Sequence, residues 1–164
     1  MMPEFPTEPA DQVGVGPQPA PLLKRIGAFL IDQVLLFGVV IGLTVATGID
    51  AGEVTDAEAN AVLAVSLIGV ALSITYHTVS IARFGRTLGK ALLGLRVVAM
   101  PDGRPVAWSY AALRALVPSA AVLLPVVGNL AGLAVYLWAV FDKRRQGLHD
   151  KLAGTLVVAA GSAS

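Results

Sequence analysis

The chain has 164 residues, of which 55% are hydrophobic and only 14% are charged. Soluble domains carry roughly 25% charged residues, because a small globule exposes most of its surface to water. The composition therefore excludes an ordinary soluble enzyme and predicts an all-α integral membrane protein, a small polytopic helical bundle. Cysteine is absent and the histidines are His77 and His149, so we expect no disulfide, no metal centre and no cofactor.

The N-terminal segment, residues 1–21, contains six of the ten prolines and has no apolar periodicity. Such a composition cannot bury enough apolar surface to offset the entropy of ordering the chain. The segment is predicted to be a disordered, Pro-rich cytoplasmic tail. The remainder, residues 22–160, is predicted to be one transmembrane domain.

Two long apolar stretches follow, at residues 24–47 and 60–82. Each exceeds the roughly 20 residues that a helix needs to cross a bilayer core, so we expect a hairpin of two spanning helices. The loop between them, residues 48–60, carries four acidic residues and no basic one. Gly38 and Gly42 form a small-xxx-small pattern in the first stretch, which weakly predicts close helix packing.

A more polar region then precedes the last apolar stretch. Thr87 is placed to cap a short interfacial helix over residues 87–93, with its leucines toward lipid and Lys90 toward water. The β-branched run at 95–99 predicts a short strand. Because an isolated strand leaves its backbone groups unpaired, a similar run at 154–159 is its natural partner, and we expect this pairing on the cytoplasmic side.

The third apolar region, residues 108–141, is interrupted by two prolines and suits either one long kinked helix or a hairpin of helices at 107–124 and 128–141. Cytoplasmic loops of membrane proteins are enriched in Lys and Arg. A hairpin places every basic residue on the same side as the N-terminus, whereas a single crossing exports the last four, so the hairpin is favoured. The basic residues are Lys24, Arg25, Arg83, Arg86, Lys90, Arg96, Arg104, Arg114, Lys143, Arg144, Arg145 and Lys151.

Asp32 lies inside the first apolar stretch, where an acid costs roughly 2.5–3.5 kcal/mol to insert and should face the bundle interior with a partner. His77 lies six residues before Arg83, and Asp32 lies seven after Arg25, so antiparallel spans place both at one depth. An Asp and a His at one level suit the binding of a proton or a cation. The structural alternative is that Asp32 specifies helix packing and that His77 is a hydrogen-bonded interfacial residue.

Arg25 lies two turns before Asp32 on the same helix face, too far for a direct pair. His149 and Asp150 lie in a basic segment, residues 141–155, without a nucleophile at a defined spacing. This segment is interpreted as a solvated, salt-bridged membrane flank that attracts anionic lipid headgroups. The basic residues follow the membrane boundaries, so no nucleic-acid partner is expected.

From about residue 23 to residue 158 the chain resembles the RDD family of membrane proteins, named for one arginine and two aspartates. The resemblance rests on three ordered segments: RIGAFLID at 25–32, GRTLGKALLGLRVV at 85–98 and RRQGLHDKLAGTLVV at 144–158. In this resemblance Arg25 is similar to the family's arginine, Asp32 to the aspartate inside the first helix and Asp150 to the second aspartate. The family implies a multi-pass bacterial inner-membrane protein associated with transport, with cation/proton antiport suggested for some members.

Two functional hypotheses result. In the first, the bundle, as a homo-oligomer, binds or moves a small ion, with Asp32 and His77 as the ion- or proton-binding site and Arg25 and Asp150 setting the charge. In the second, the protein is a non-transporting scaffold or accessory subunit in which Asp32 fixes helix register. An enzyme is not expected, because no nucleophile or metal-ligand constellation is visible.

Overall fold

The computed structural model describes residues 17–46, 48, 56–122, 128–142 and 145–161. Most of the expected N-terminal tail, residues 1–16, and most of the expected acidic loop lie outside these ranges. The described part is mostly helical, with a single pair of short strands.

Two long helices begin the fold: α1 spans Leu22–Ala46 and α2 spans Asp56–Phe84. With 25 and 29 residues, they are about 38 and 44 Å long at the usual rise per residue. The mean hydropathy is 2.2 for α1 and 1.8 for Ala59–Phe84 of α2. In the most apolar 18-residue stretch of each helix, only 11% and 6% of the residues, respectively, are buried. A core helix of a soluble protein would be mostly buried, so this exposure matches helices that cross a membrane.

Two short units of helix and strand complete the two halves of the chain. Helix α3 (Leu88–Leu92) leads into β1 (Leu95–Ala99), and α6 (Leu148–Leu152) leads into β2 (Thr155–Ala159). The strands pair antiparallel with Val97 opposite Val157, so the expected pairing of these two runs is observed. Both strands are largely buried, and Leu95, Val97 and Val157 lie in one apolar cluster with Ala28 of α1 and Ile81 of α2.

The segment just before α1 also joins this sheet. Residues 17–21 were expected to belong to a disordered tail, but Ala20 is 2% exposed and its amide donates to the Val157 carbonyl at 2.8 Å. Its small side chain lies in the same apolar cluster as Leu95 and Val97. The end of the predicted tail is therefore held in place by a backbone hydrogen bond and by apolar burial.

The third apolar region forms two helices, α4 (Trp108–Val122) and α5 (Gly128–Phe141). They pack against each other, and α4 also packs along α2. With 15 and 14 residues, each is about 22 Å long, shorter than a bilayer core of roughly 30 Å. Residues 123–127, which connect them, lie outside the described part of the chain.

The two helix–strand units are copies of one another at an offset of sixty residues. The helices and strands of the two units occupy equivalent sequence positions. So do two glycines with a left-handed backbone conformation, Gly94 (φ 65°) and Gly154 (φ 56°). The sheet ends also correspond: the Met100 amide donates to Gly154 and the Ala160 amide donates to Gly94, both at 2.8 Å. The strand pairing is symmetric as well: Leu95 pairs with Ala159, the equivalent of Ala99, and Ala99 pairs with Thr155, the equivalent of Leu95. A local two-fold axis therefore passes between Val97 and Val157.

The same offset appears in the amino-acid sequence. Between residues 87–99 and 147–159, six of thirteen positions are identical. The identical pairs are Leu88 and Leu148, Leu92 and Leu152, Gly94 and Gly154, Val97 and Val157, Val98 and Val158, and Ala99 and Ala159. Each repeat thus comprises a helix pair followed by this unit, that is α1-α2-α3-β1 and α4-α5-α6-β2.

Candidate functional site

Asp32 is 1% exposed and is held by donors from two other elements. Oδ1 accepts from the Tyr76 hydroxyl and from the Gly89 amide, both at 2.8 Å, and Oδ2 accepts from the Thr87 hydroxyl at 2.5 Å. The Lys90 ammonium lies 3.8 Å from Oδ2. These donors offset the loss of water around a buried carboxylate.

Close approach of α3 to α1 makes this arrangement possible. A Cβ atom on Gly89 would lie 2.1 Å from the Ala28 carbonyl oxygen and 3.1 Å from Cγ of Asp32. Only glycine leaves room for this contact. The first amides of α3 have no partner within their own helix, so the Gly89 amide is available to Asp32, and the Leu88 amide donates to Tyr76 Oη at 2.9 Å.

Asp150 is the second buried acid and is 0% exposed. Its Oδ2 accepts from Arg25 at 2.8 Å, and its Oδ1 is paired with Arg114. Thr155 Oγ1 donates to Oδ1 and the Gly147 amide donates to Oδ2, each at 3.2 Å. Asp150 therefore connects α1, α4 and α6 through one carboxylate.

The charges around Asp150 determine its protonation. Burial alone would raise its pKa, but the nearby Arg114, His149 and Arg25 lower the pKa to about 2. Asp150 is consequently ionised at neutral pH. The interpretation of this segment as a solvated flank is wrong for His149 and Asp150, which are 4% and 0% exposed, because α4 and α1 cover them.

His149 lies beside this pair and is kept neutral. Its Nε2 lies 3.6 Å from Asp150 Oδ2, and its ring lies 4.6 Å from that of Tyr136. Burial lowers its pKa to about 3, outweighing the attraction of Asp150. Within the described chain its buried Nδ1 has no hydrogen-bond partner.

His77, expected at the depth of Asp32, makes a different contact. Its Nδ1 lies 2.9 Å from the Ser73 carbonyl oxygen, and its ring meets the Tyr76 ring edge-on at 5.1 Å. Tyr76, one position earlier on α2, supplies the hydrogen bond to Asp32 instead. Successive helix residues differ by about 100° in direction, which separates these two roles.

A cavity of about 500 Å³ lies between the helices and is lined by Asp32, His77, His149 and Arg114. Asp150 does not line the cavity but lies directly behind its wall, paired with Arg25 and Arg114. Arg25 and Lys90 also contribute to its wall, while Ile26, Phe29, Leu30, Pro118, Leu137 and Val140 provide apolar surface. Arg25, Asp32 and Asp150 thus lie in or directly behind the wall of one cavity and are not separate surface charges.

Lys90 was predicted to face water, and the structure contradicts this. Leu88 and Leu92 of α3 are exposed, at 56% and 73%, but the Lys90 side chain is only 12% exposed. Burial lowers its pKa to about 8, and the nearby Arg114 acts in the same direction. Five residues turn α3 only slightly more than once, so Lys90 lies opposite its leucines and reaches the cavity.

Sequence reasoning did not identify Tyr76, Thr87, Gly89 or Arg114 as site residues. For these four residues the sequence offered no signal; for Lys90 the repeat offers one, since Lys90 and Asp150 occupy equivalent positions. Among the described residues, no group of three or more His, Cys, Asp or Glu side chains is placed to hold a metal ion.

Comparison with known families agrees with this arrangement. The model of the RDD family matches residues 19–154, a range that includes Arg25, Asp32 and Asp150. The chain belongs to the RDD family. The RDD protein is also similar to the uncharacterized membrane protein YteJ of Bacillus subtilis (strain 168), with 28% identity over 155 residues that cover 87% of each chain. No solved structure matches it.

These comparisons and the exposed apolar helices agree about the environment of the RDD protein. It is a membrane protein, and the lipid bilayer is its solvent. The buried acids therefore lie in a bundle whose outer surface contacts lipid. In that environment an unpaired charge is more costly than in water, so each ion pair at the cavity offsets part of that free-energy cost.

Proposed function

We propose that this RDD protein is a multi-pass protein of the bacterial inner membrane that exchanges a small cation for a proton at Asp32, and that it is not an enzyme. The observation that supports the proposal best is the pairing of Asp32 with Lys90 in the wall of an internal cavity. A carboxylate and an amine that share one polar site can alternate between two charge states.

The pairing of β1 with β2 supports the topology in this proposal. Both strands lie at one end of the bundle, so the chain between them returns to the side from which it started. Helices α4 and α5 then form a membrane hairpin, and four helices cross or enter the bilayer. With the positive-inside rule, the N-terminus and the sheet are cytoplasmic, and the short α4 and α5 are accommodated by tilt or local thinning.

The chemistry follows from the Lys90 ammonium. When it is protonated, it neutralises Asp32 from 3.8 Å. Because burial lowers its pKa to about 8, loss of this proton is accessible near neutral pH. The amine then carries no charge, so Asp32 attracts a cation from the cavity instead. His77 lines the same cavity and is the second residue of the proposed ion- or proton-binding site.

Arg25 and Asp150 have a different part in the proposal. They are paired with each other, and Asp150 is also paired with Arg114, so they fix the charge near the exchanging pair without taking up the ion. In this proposal, the coupling of cation movement to proton movement therefore depends on one pair, Asp32 and Lys90. The transported cation competes with the ammonium for one carboxylate.

Proteoliposomes with a pH-sensitive dye test this exchange. We expect a cation gradient to drive proton flux in the wild type and no flux above empty liposomes in Asp32→Asn. Lys90→Arg should also abolish flux, because a guanidinium keeps its proton. Lys24→Met is the matched control, since Lys24 is exposed. Wild-type flux in either Asp32→Asn or Lys90→Arg overturns the proposal.

A scaffold or accessory subunit is the second candidate. It is favoured by the bonds through which Asp32 connects α1 to Tyr76 of α2 and to Thr87 and Gly89, since these contacts fix helix register. This candidate expects Asp32→Asn to lower abundance and assembly in the membrane, and the wild type to show no flux. Equal abundance and size of Asp32→Asn and wild type would count against it.

Two partner assignments belong to the proposal as well. Four helices, two of them short, enclose little space, so a homo-oligomer is expected to form the complete pathway, and crosslinking in membranes should trap it. The basic residues at the helix ends are expected to bind anionic lipid headgroups on the cytoplasmic face. A monomer at all crosslinker concentrations would contradict the first assignment.

A further inference from the structure

We infer that the cavity is a binding site for one anionic phospholipid, whose phosphate lies against Arg25 and Arg114 and whose acyl chain leaves between α1 and α5. This inference goes beyond the cation exchange proposed above and does not depend on it. It concerns a site inside the bundle rather than the basic residues at the helix ends.

The charged side chains described in the cavity wall and directly behind it do not balance. Asp32 is matched by Lys90, whereas Asp150 alone is shared by Arg25 and Arg114. All five side chains are at most 12% exposed. One positive charge is therefore left over in a site shielded from water, where an uncompensated charge is costly. A ligand that carries one negative charge removes this cost.

The repeat shows where such a ligand enters. Helix α2 packs along α4, and the symmetric counterpart of this contact would join α5 to α1. Within the described residues α5 makes little backbone contact with α1, and the two meet through the rings of Phe29 and Tyr136, whose centroids are 4.4 Å apart. The cavity occupies the position where the second helix contact is missing.

Apolar side chains line the same opening. Leu30 of α1 and Leu137 of α5 both border the cavity, yet they are 55% and 46% exposed. Since α1 is apolar enough to cross a membrane, this surface faces lipid chains rather than water. The volume of about 500 Å³ lies in the range of sites that hold small organic ligands and suits a phosphate headgroup with the first part of an acyl chain.

The head of the ligand is recognised by the guanidinium groups. Arginine binds phosphate through two parallel N–H donors and is less strongly hydrated than lysine. A phosphate diester with one negative charge matches the excess charge of the cavity. A zwitterionic phospholipid carries the same phosphate but adds a cation, which the site does not neutralise.

Native mass spectrometry and thermal melting of the delipidated protein in detergent test the inference. We expect phosphatidylglycerol to bind with one-to-one stoichiometry and at least tenfold more tightly than phosphatidylcholine, and inorganic phosphate alone to produce no shift in melting temperature. Arg114→Gln should remove the preference for phosphatidylglycerol. Equal binding of the two lipids, or an equal shift with inorganic phosphate, overturns the inference.

A variant at the opening keeps the test informative if Arg114→Gln does not fold. Leu137→Trp fills the space between α1 and α5 from an exposed position and should weaken phosphatidylglycerol at least tenfold. Leu130→Trp is the matched control, because Leu130 lies on the same helix, is 70% exposed and does not border the cavity. Wild-type lipid binding in folded Leu137→Trp contradicts the inference. Loss of cation exchange with lipid binding intact would reject only the proposed function.

Discussion

Arg25 and Asp150 are 125 positions apart in the chain and 2.8 Å apart in space. Arg25 also donates to the carbonyl of Arg145, so one guanidinium attaches the beginning of α1 to the segment before α6. Because Arg114 reaches the same carboxylate from α4, three elements converge at Asp150. Arg25 and Asp150, which are similar to the arginine and the second aspartate of the RDD family, therefore form one contact rather than two separate features.

Removal of Arg25 should destabilise this convergence. Arg25→Gln is expected to lower the free energy of unfolding by about 3 kcal/mol, near the lower end for a buried pair that loses one partner, because Arg114 still neutralises Asp150. Arg25→Lys should cost less, since it keeps the charge. Denaturant unfolding in detergent measures both. Lys24→Gln is the control and should remain within about 0.5 kcal/mol of wild type; an Arg25→Gln value that small would contradict the structure.

Acid should weaken the folded protein through His149. Its pKa in the folded state is about 3, against 6.5 for an unperturbed histidine, so between these values the unfolded chain binds a proton that the folded chain does not. Stability is fully present above pH 6.5 and falls as the pH decreases toward 3. Asp150, with its pKa lowered to about 2 from 3.8, adds a loss of stability only below about pH 4.

The measurement for His149 is a series of melting temperatures between pH 6.5 and pH 4.5. His149→Gln should melt with a smaller dependence on pH than wild type across this window, even if its stability at pH 7 differs. The comparison removes the contribution of His77, which both proteins contain. Parallel melting curves for the two proteins would show that His149 is not held neutral by burial.

Gly89 and Gly38 should respond very differently to alanine. A Cβ atom at Gly89 would meet the Ala28 carbonyl oxygen at 2.1 Å, whereas a Cβ atom at Gly38 has nothing within 4 Å. Gly89→Ala forces α3 away from α1 and should cost about 2 kcal/mol or more, because Asp32 loses a backbone donor. Gly38→Ala should lie within about 1 kcal/mol of wild type or stabilise the helix. Similar unfolding free energies for both variants would contradict this packing.

Single cysteines can report the topology, because the chain contains none. Gly128→Cys, at the turn of the expected hairpin, should react with an impermeant thiol reagent on intact cells. Ser164→Cys should react only after the membrane is opened, because the proposed topology places the sheet on the cytoplasmic side. Labelling of Ser164→Cys from outside would exclude the hairpin, and a signal from the unmodified chain would reveal non-specific reaction.

Local sequence features predicted the elements that depend on local chemistry. The apolar length of the first two stretches specifies α1 and α2, and the β-branched runs specify β1 and β2, because each signal lies within the element itself. Helix α2 begins four residues earlier than expected, at Asp56. Asp32 was also predicted correctly to be buried, since an acid in an apolar helix needs a partner.

The site contacts depend on distant segments and were not predicted. Lys90 and Asp150 each lie in a polar, basic stretch, so their local sequence resembles a solvated flank, and only the packing of α1 and α4 over them produces burial. The glycine pattern at Gly38 and Gly42 predicted close helix packing. Within the described chain, however, a Cβ atom at either glycine would have no neighbour within 4 Å. The close contact occurs at Gly89, which has the same four-residue spacing from Gly85 but lies in a polar stretch outside the apolar spans.

The two-fold relation between the helix–strand units has a chemical consequence. If two identical chains met across such an axis, both would carry the same residue at any given position, and a buried lysine would face the environment of another lysine. A single polypeptide is free of that restriction. It carries Lys90 in one half and Asp150 at the corresponding place in the other. Because the two halves belong to one chain, opposite charges can occupy equivalent positions inside an otherwise symmetric framework.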